Sequence, residues 1–204
     1  MNSHHCEPSP GVSGSTIGLK RFALVGNPNS GKSTLFNALS GLRAKTGNYP
    51  GVTVSKFEGR VILGDSQIVL EDLPGSYSLD AISPDEQVVV DVLSPDSGLG
   101  SQTPDGVVVV LDSTTLQRSL ALLAQVLNRG LPTCVVLTFA DDLQRRGGRI
   151  DTLALSTALG VRVVSVTSGE RTGIAAIKDA LREHESWPAP VIPPPTDQAQ
   201  ALAW

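Results

Sequence analysis

One segment of the chain matches the pattern G-x-x-x-x-G-K-[ST] in full: Gly26-Asn27-Pro28-Asn29-Ser30-Gly31-Lys32-Ser33. The apolar residues 22–25 before it predict a short buried strand, and residues 33–39 after it predict a helix. In this setting the loop's backbone N–H groups can point at a phosphate chain, and the helix N-terminus adds its positive dipole end. The segment therefore predicts a phosphate-binding loop between a strand and a helix.

Two side chains of the loop have the chemistry to act on a bound nucleotide. Lys32 is expected to place its charge on the β- and γ-phosphates, and the Ser33 hydroxyl is expected to ligate Mg²⁺. Because its charge would face phosphate, Lys32 has no reason to be buried in the core. The residues predicted to contact nucleotide are Gly26, Asn27, Pro28, Asn29, Ser30, Gly31, Lys32, Ser33 and Thr34.

Composition narrows the class of protein. The 204 residues suit one α/β domain, and 40% apolar with 18% charged residues is ordinary for a globular protein. The net charge of −4 argues against nucleic acid as the main partner. The two cysteines, Cys6 and Cys134, do not make a disulfide framework, so a reduced, cytosolic setting is expected. Residues 1–16 lack the apolar segment of a signal peptide.

The two ends of the chain differ from its middle. Residues 1–18 are rich in Ser, Gly, Pro and His and are expected to be disordered, which makes His4-His5-Cys6 a poor metal site. Residues 187–195 form a proline-rich, extended linker, and residues 196–204 resemble the start of a helix that is cut off. We therefore expect one nucleotide-binding domain over residues 19–186, followed by a further region that this chain lacks.

Between the ends, apolar patterns alternate between strand and helix periods. They predict an α/β fold with a six-stranded, mostly parallel sheet, one antiparallel edge strand, and helices on both faces. Besides the first strand, strands are predicted at 54–63, 67–70, 107–111, 134–137 and 161–166. Helices are predicted around Leu116–Leu127, Asp151–Gly160 and Ile174–Leu181. Phosphates would bind at the carboxyl ends of the strands.

A second motif, Asp72-Leu73-Pro74-Gly75, ends the predicted third strand. There Asp72 can hold Mg²⁺ through water, and the Gly75 N–H can meet a γ-phosphate. Thr53 lies in a flexible stretch, residues 41–54, and is placed to complete the Mg²⁺ shell. Its neighbours Gly51 and Val52 are also predicted to contact nucleotide. Residues 48–54 have no apolar period to bind them to the core, so we expect a mobile switch that a γ-phosphate orders.

Two further segments are suited to reading a base. Thr138-Phe139-Ala140-Asp141 follows the predicted fifth strand, where GTPases carry an Asn-x-x-Asp motif. After the sixth strand, the backbone at Ser168 and Gly169 can meet the guanine carbonyl oxygen. Each of these short matches is weak alone, but their order and spacing relative to the phosphate loop indicate a GTPase.

At the level of longer segments the chain resembles a known family. Residues 26–37, Gly47-Asn-Tyr-Pro-Gly-Val-Thr-Val54, Asp72-Leu-Pro-Gly-Ser-Tyr-Ser-Leu79 and Asp85-Glu-Gln87 are similar to the N-terminal GTPase domain of the bacterial ferrous-iron transport protein B family. The resemblance covers about residues 19–186. It implies a domain on the cytoplasmic face of the inner membrane, followed in the whole protein by a helical domain and a membrane-embedded iron permease.

The resemblance also implies site chemistry. Asn29 is expected to help bind K⁺ beside the phosphates, where a monovalent cation offsets developing charge and raises a slow rate of GTP hydrolysis. The residues with expected catalytic roles are then Lys32, Thr53, Gly75 and Asn29, with Mg²⁺ held through Ser33, Thr53 and Asp72. The alternative for Asn29 is a residue that only shapes the turn.

The chain departs from the family's pattern at several positions. Thr138 replaces the usual Asn of the base reader, so we expect it neither to orient the loop nor to meet the base in the usual way. Asp141 can still accept two hydrogen bonds from guanine, so guanine preference is expected to survive in weakened form. Tyr49 replaces the usual Trp and Ser55 the usual Glu. Ser76 stands where Ras-like enzymes have their water-orienting glutamine, which predicts slow hydrolysis.

Three functions remain open from the sequence. The first is a GTP-hydrolysing domain that regulates or drives a ferrous-iron permease. The second is a nucleotide-binding switch with negligible hydrolysis, and the third is a stand-alone GTPase of the ribosome-assembly kind. The acidic balance and the absence of an RNA-binding domain weigh against the third. Nothing in the pattern selects an oligomeric state.

Overall fold

A computed structural model of the chain describes residues 18–41, 44–94, 103–167 and 171–188. The predictions for the N-terminal tail, including His4-His5-Cys6, and for residues 189–204 concern parts of the chain outside these ranges. The described residues contain one mixed β-sheet with α-helices packed on both of its faces.

The sheet has seven strands in the order β2-β3-β4-β1-β5-β6-β7. The five strands β4, β1, β5, β6 and β7 are parallel, whereas β3 is antiparallel to both of its neighbours, β2 and β4. The strands are β1 Lys20–Gly26, β2 Ala44–Asn48, β3 Ser55–Leu63, β4 Ser66–Asp72, β5 Gly106–Asp112, β6 Thr133–Thr138 and β7 Arg162–Ser165. The predicted fold class is confirmed, but the sheet has seven strands rather than six, and its antiparallel strand lies one position inside the edge.

The additional strand is β2, within the stretch that was expected to be a flexible loop. Four of its five residues are exposed, so the segment shows no alternation of buried and exposed side chains. It is a strand because its backbone pairs with β3, from Ala44 opposite Gly59 to Asn48 opposite Ser55. Pairing at a sheet edge leaves little trace in the side-chain pattern, and so sequence periodicity did not predict it.

Five of the six described α-helices pack apolar residues against the sheet. Helices α1 and α6 pack on one face, and α2, α3 and α5 pack on the other. Their bounds are α1 Lys32–Ser40, α2 Pro84–Val92, α3 Leu120–Leu127, α4 Ala140–Arg145, α5 Thr152–Leu159 and α6 Arg171–Arg182, and a 3₁₀ helix, Ser113–Ser119, precedes α3. The short helix α4, which has no buried residue, was not predicted. It follows β6 at the same edge of the sheet as the phosphate loop.

The last described residues pack back against the sheet. The indole of Trp187 donates a hydrogen bond of 2.9 Å to the Ala180 carbonyl. Its ring meets Phe22 edge-on at a centroid distance of 5.7 Å, and the His184 ring meets the same phenylalanine at 5.2 Å. Trp187, assigned above to the linker, is therefore packed against the domain.

The helices of the described ranges are short, and α6 is the longest with 12 residues. None of them combines the length and the apolar content that crossing a bilayer requires.

Candidate functional site

The phosphate-loop segment connects β1 to α1 and turns sharply. Asn29 (φ +65°) and Gly31 (φ +82°) lie in the left-handed region, which glycine adopts freely and asparagine tolerates. The Ser30 N–H closes the turn on the Asn27 carbonyl at 3.2 Å. Gly31 occupies the N-cap of α1 without a side-chain cap, and the first turn of α1 carries no acidic residue. The N–H groups of that turn are therefore available to an anion.

The side chains of Lys32 and Ser33 converge on one carboxylate, that of Asp72 at the end of β4. The Lys32 ammonium forms an ion pair with Asp72 and also donates to the Leu73 carbonyl. The Ser33 hydroxyl donates to the other Asp72 oxygen at 3.3 Å. Lys32 is only 8% exposed, so the expectation that it lies outside the core is wrong. Its burial is possible because Asp72 supplies the opposite charge.

The Asp72–Gly75 segment lies directly against the phosphate loop. The Ser76 N–H donates to the Gly26 carbonyl at 3.2 Å. A Cβ on Gly75 would come within 3.1 Å of the Pro28 ring, so a larger residue here would press against the phosphate loop. Ser76 itself is buried, and its hydroxyl donates to the Ser78 carbonyl. That hydroxyl therefore donates its proton within its own segment.

The Thr138 side chain contacts the backbone of the phosphate loop. Its hydroxyl lies 2.7 Å from the Ser30 carbonyl oxygen and 3.1 Å from that of Leu111. Thr138 therefore contacts the loop through a hydroxyl, and not through the amide that the family's usual Asn would supply. A hydroxyl has one proton, so it donates to one of these two carbonyls at a time, whereas an asparagine amide has two N–H groups.

The residues after Thr138 form the start of α4. Phe139 has a left-handed backbone (φ +56°), and its ring lies 3.4 Å from the position that a Cβ on Gly31 would take. Sequence reasoning missed this contact, because no local pattern relates Phe139 to a glycine more than a hundred residues away. Asp141 is partly exposed and forms an ion pair with Arg145 at 3.2 Å. Ser168 and Gly169 fall outside the described ranges.

The predicted switch segment, residues 48–54, is anchored in the core. Tyr49 is 1% exposed, Val54 is 8% exposed, and both belong to the main apolar cluster. Gly51 takes the left-handed conformation (φ +78°), and Val52 packs partly against the same cluster. The expectation that this segment lacks buried contacts is therefore wrong. Thr53 is exposed, and within the described residues no hydrogen bond joins it to Ser33 or Asp72.

Four charged side chains of strands β1, β3 and β4 lie next to Tyr49 of the switch segment. Sequence reasoning missed this group. Arg21 on β1 contacts Glu58 and, at 2.9 Å, Glu71, while Lys56 lies 3.0 Å from Glu58 and 3.6 Å from Glu71. Glu58 and Glu71 are direct cross-strand neighbours. Burial opposes the ionisation of Glu58, but hydrogen bonds from Arg21 and Lys56 outweigh it, so the pKa of Glu58 lies below its usual value.

The residues present fit a nucleotide phosphate chain and a hard cation. The loop offers uncapped N–H groups and a lysine, and an Asp72 carboxylate with the Ser33 hydroxyl is an oxygen donor set of the kind that Mg²⁺ takes. Within the described part, two buried atoms of the loop, Asn27 Oδ1 and Ser30 Oγ, have no hydrogen-bond partner. Asn29 is exposed at the tip of the same loop.

Fold and site together define a phosphate-loop GTPase domain. The chain belongs to the ferrous iron transport protein B family, whose model matches residues 20–181. The Fe(2+) transporter FeoB of Leptospira biflexa is 42% identical over 168 residues, which are 82% of this chain. The FeoB transporter of Salmonella typhimurium is 44% identical over 170 residues, or 81% of this chain. These alignments cover 24% and 21% of the two relatives, so the chain spans less than a quarter of their length.

Solved structures of the same family share the fold. The cytosolic domain of the T. maritima FeoB iron transporter in apo form is 34% identical, with a TM-score of 0.77. That match covers 85% of this chain and 67% of the other. A point mutant of S. thermophilus NFeoB bound to GDP is 36% identical, with a TM-score of 0.72, over 81% of this chain and 63% of the other.

Proposed function

We propose that this domain binds GTP and GDP with Mg²⁺ and hydrolyses GTP slowly. The observation that carries the proposal is the convergence of Lys32 and Ser33 from the phosphate loop on Asp72 of the second motif. This arrangement joins a cationic phosphate ligand to two oxygen ligands for Mg²⁺ at an uncapped helix N-terminus. The GDP bound to the related S. thermophilus protein supports guanine nucleotide as the ligand.

Each site residue then has a defined task. Lys32 would pair with the β- and γ-phosphates in place of Asp72, and Asp72 would then hold Mg²⁺ through water. Ser33 and Thr53 would be the further protein ligands of Mg²⁺, and the Gly75 N–H would donate to the γ-phosphate. Asp141 leaves Arg145 and accepts hydrogen bonds from guanine N1 and N2. Mg²⁺ supplies charge neutralisation of the triphosphate when bound.

Potassium is proposed as the second cation, with Asn29 as a ligand. Asn29 stands exposed at the loop tip in a left-handed conformation, so its amide is open to a cation from solvent. A monovalent cation there would offset charge that develops between the β- and γ-phosphates, a task that an arginine performs in other GTPases.

In the whole protein, we propose that this domain regulates or drives ferrous-iron transport from the cytoplasmic face of the bacterial inner membrane. Family membership supports this role, as does the description of the T. maritima relative as a cytosolic domain. The partners would be helical and permease regions of the whole protein. Family membership also disfavours the stand-alone ribosome-assembly alternative.

A switch with negligible hydrolysis is the second candidate, and one observation favours it. Ser76, at the glutamine position of Ras-like enzymes, is buried and its one hydroxyl proton is donated to the Ser78 carbonyl, so it offers no free donor to a water. Turnover by the isolated domain in potassium separates the two candidates, because only a hydrolysing enzyme releases phosphate above the spontaneous rate.

The decisive experiment titrates GTP, GDP and ATP against the purified chain, first in potassium and then in sodium. We expect GTP and GDP to bind, ATP to bind more weakly, and phosphate release to be faster in potassium. Equal affinity for ATP and GTP would contradict the guanine assignment. Equal and measurable rates in the two salts would contradict the potassium site alone.

A further inference from the structure

We propose that Tyr49 is a positioning residue for the γ-phosphate sensor. Its phenol ties the turn that carries Thr53 to Glu71, the residue immediately before the magnesium-ligand candidate Asp72. The proposal rests on the function proposed above, because Thr53 and Asp72 act together only if the site binds nucleotide with Mg²⁺. Four observations carry it: a buried hydrogen bond, a fixed acceptor, a closed turn and the register of β4.

The hydrogen bond is buried and its acceptor is charged. The Tyr49 hydroxyl donates to Glu71 Oε1 at 2.7 Å, and the two residues are 1% and 4% exposed. Bonds of this kind, from a neutral donor to a carboxylate, are among the stronger ones in proteins. Burial raises the pKa of Tyr49, and the adjacent Glu71 charge reinforces the shift, so the phenol remains a donor at physiological pH.

The acceptor cannot move freely. Glu71 is paired with Arg21 at 2.9 Å and lies 3.6 Å from Lys56. Its backbone lies in β4, which is paired to β1 on one side and to β3 on the other. The Lys56 ammonium also stands 5.5 Å from the centre of the Tyr49 ring, within the range of a cation–π contact. Tyr49 is therefore held from two directions by residues of the sheet.

The segment after Tyr49 is a closed turn rather than an open loop. The Tyr49 N–H donates to the Val54 carbonyl at 3.0 Å, and the Val52 N–H donates to the Tyr49 carbonyl at 3.3 Å. Thr53 lies inside this turn and is exposed. Because the turn is closed on Tyr49, a displacement of the tyrosine carries Thr53 with it.

The register of β4 relates the Tyr49–Glu71 hydrogen bond, which we call the tether, to the candidate site. Successive residues of a strand point to opposite faces, so Glu71 faces Tyr49 while Asp72 faces Lys32 and Ser33. The Cα atoms of consecutive residues are about 3.8 Å apart. The tether thus fixes the turn that carries Thr53 relative to Glu71, the neighbour of Asp72. Tyr49 itself is not a proposed ligand of the nucleotide or of Mg²⁺.

The test removes only the phenolic oxygen, with Tyr49→Phe, and compares it with Tyr77→Phe. The chain has two tyrosines, and Tyr77 is 56% exposed with no hydrogen bond from its phenol within the described ranges. Hydrogen exchange is measured on both nucleotide-free proteins. We expect the amides at positions 49 and 52 to exchange at least tenfold faster in Tyr49→Phe and at the wild-type rate in Tyr77→Phe. Unchanged exchange at both positions in Tyr49→Phe would overturn the tether.

A second measurement separates positioning from a purely structural role. With GTP and Mg²⁺ saturating, Tyr49→Phe is expected to lower kcat at least fivefold. Its GDP affinity is expected to stay at the wild-type value, because GDP has no γ-phosphate for Thr53 to sense. Faster exchange with wild-type kcat would overturn the positioning role. If the wild-type chain bound no GTP, the proposed function would fail, whereas the exchange result on nucleotide-free protein would still decide the tether.

Discussion

Thr138→Val removes the hydroxyl that supports the phosphate loop and keeps the shape of the side chain. The wild-type hydroxyl lies 2.7 Å from the Ser30 carbonyl and 3.1 Å from the Leu111 carbonyl, and Thr138 is 8% exposed. One proton serves one acceptor at a time, so the substitution removes one buried hydrogen bond. The net contribution of such a bond is about 1 kcal/mol.

The location of the bond determines where that energy is lost. Ser30 lies in the phosphate loop, so the variant loses the bond's contribution to the fold, and nucleotide binding must then also order a loop that the bond no longer holds. We expect the free energy of unfolding to fall by about 1 kcal/mol. We also expect GDP affinity to fall about fivefold, since a factor of ten corresponds to about 1.4 kcal/mol. Chemical denaturation and isothermal titration with GDP measure the two effects.

Thr133→Val is the matched control on the same strand. Its hydroxyl donates to the Leu131 carbonyl at 2.8 Å, and the residue is 2% exposed, but it lies at the opposite end of β6. We expect a similar loss of stability with unchanged GDP affinity. Thr138→Asn restores a two-proton donor and is expected to bind GDP at least as tightly as the wild type. Wild-type GDP affinity in Thr138→Val would refute the idea that this hydroxyl supports the loop.

Four further changes test the site. Lys32→Ala is expected to abolish GTP binding in a fluorescent-analogue titration, and because it leaves Asp72 buried and unpaired, denaturation is also expected to show lower stability. Asp141→Ala should cost more than about 1 kcal/mol of GTP binding in calorimetry, since hydrogen bonds to charged groups contribute about 1.5–3 kcal/mol. Asn29→Ala should remove the acceleration of phosphate release by potassium with little change in GDP affinity, and a potassium response equal to the wild type would exclude it as a ligand. The pKa of Glu58 is lowered in the folded protein, so its contribution to stability is present above its unfolded pKa and is lost as the pH falls through its folded pKa. Glu58→Gln should therefore reduce the loss of stability at acidic pH, measured by denaturation at a series of pH values. An unchanged acid dependence would contradict the pairing of Glu58 with Arg21 and Lys56.

Sequence pattern anticipated the parts of this protein in which local periodicity and burial agree. Strands β5 and β6 are continuous apolar runs because both faces of a central parallel strand are covered, and they occur where predicted. The phosphate loop was predictable because its glycines and its lysine are required by local backbone geometry and by charge. Strand β2 and helix α4 were not predictable in this way, because neither has a buried face to impose a period on its residues.

The candidate site shows the same difference between what the sequence pattern predicts and what the tertiary structure adds. The sequence by itself predicted the groups that we propose to carry the chemistry: the loop amides, Lys32, Ser33, Asp72 and Asp141. Only the tertiary structure decided how those groups are held. Thr138 supports the loop from 108 residues away, and Tyr49 reaches a carboxylate 22 residues away in the chain. The physical reason is that a short motif fixes chemistry through its own backbone geometry. A buried hydrogen bond between distant segments exists only after the sheet has brought its two partners together.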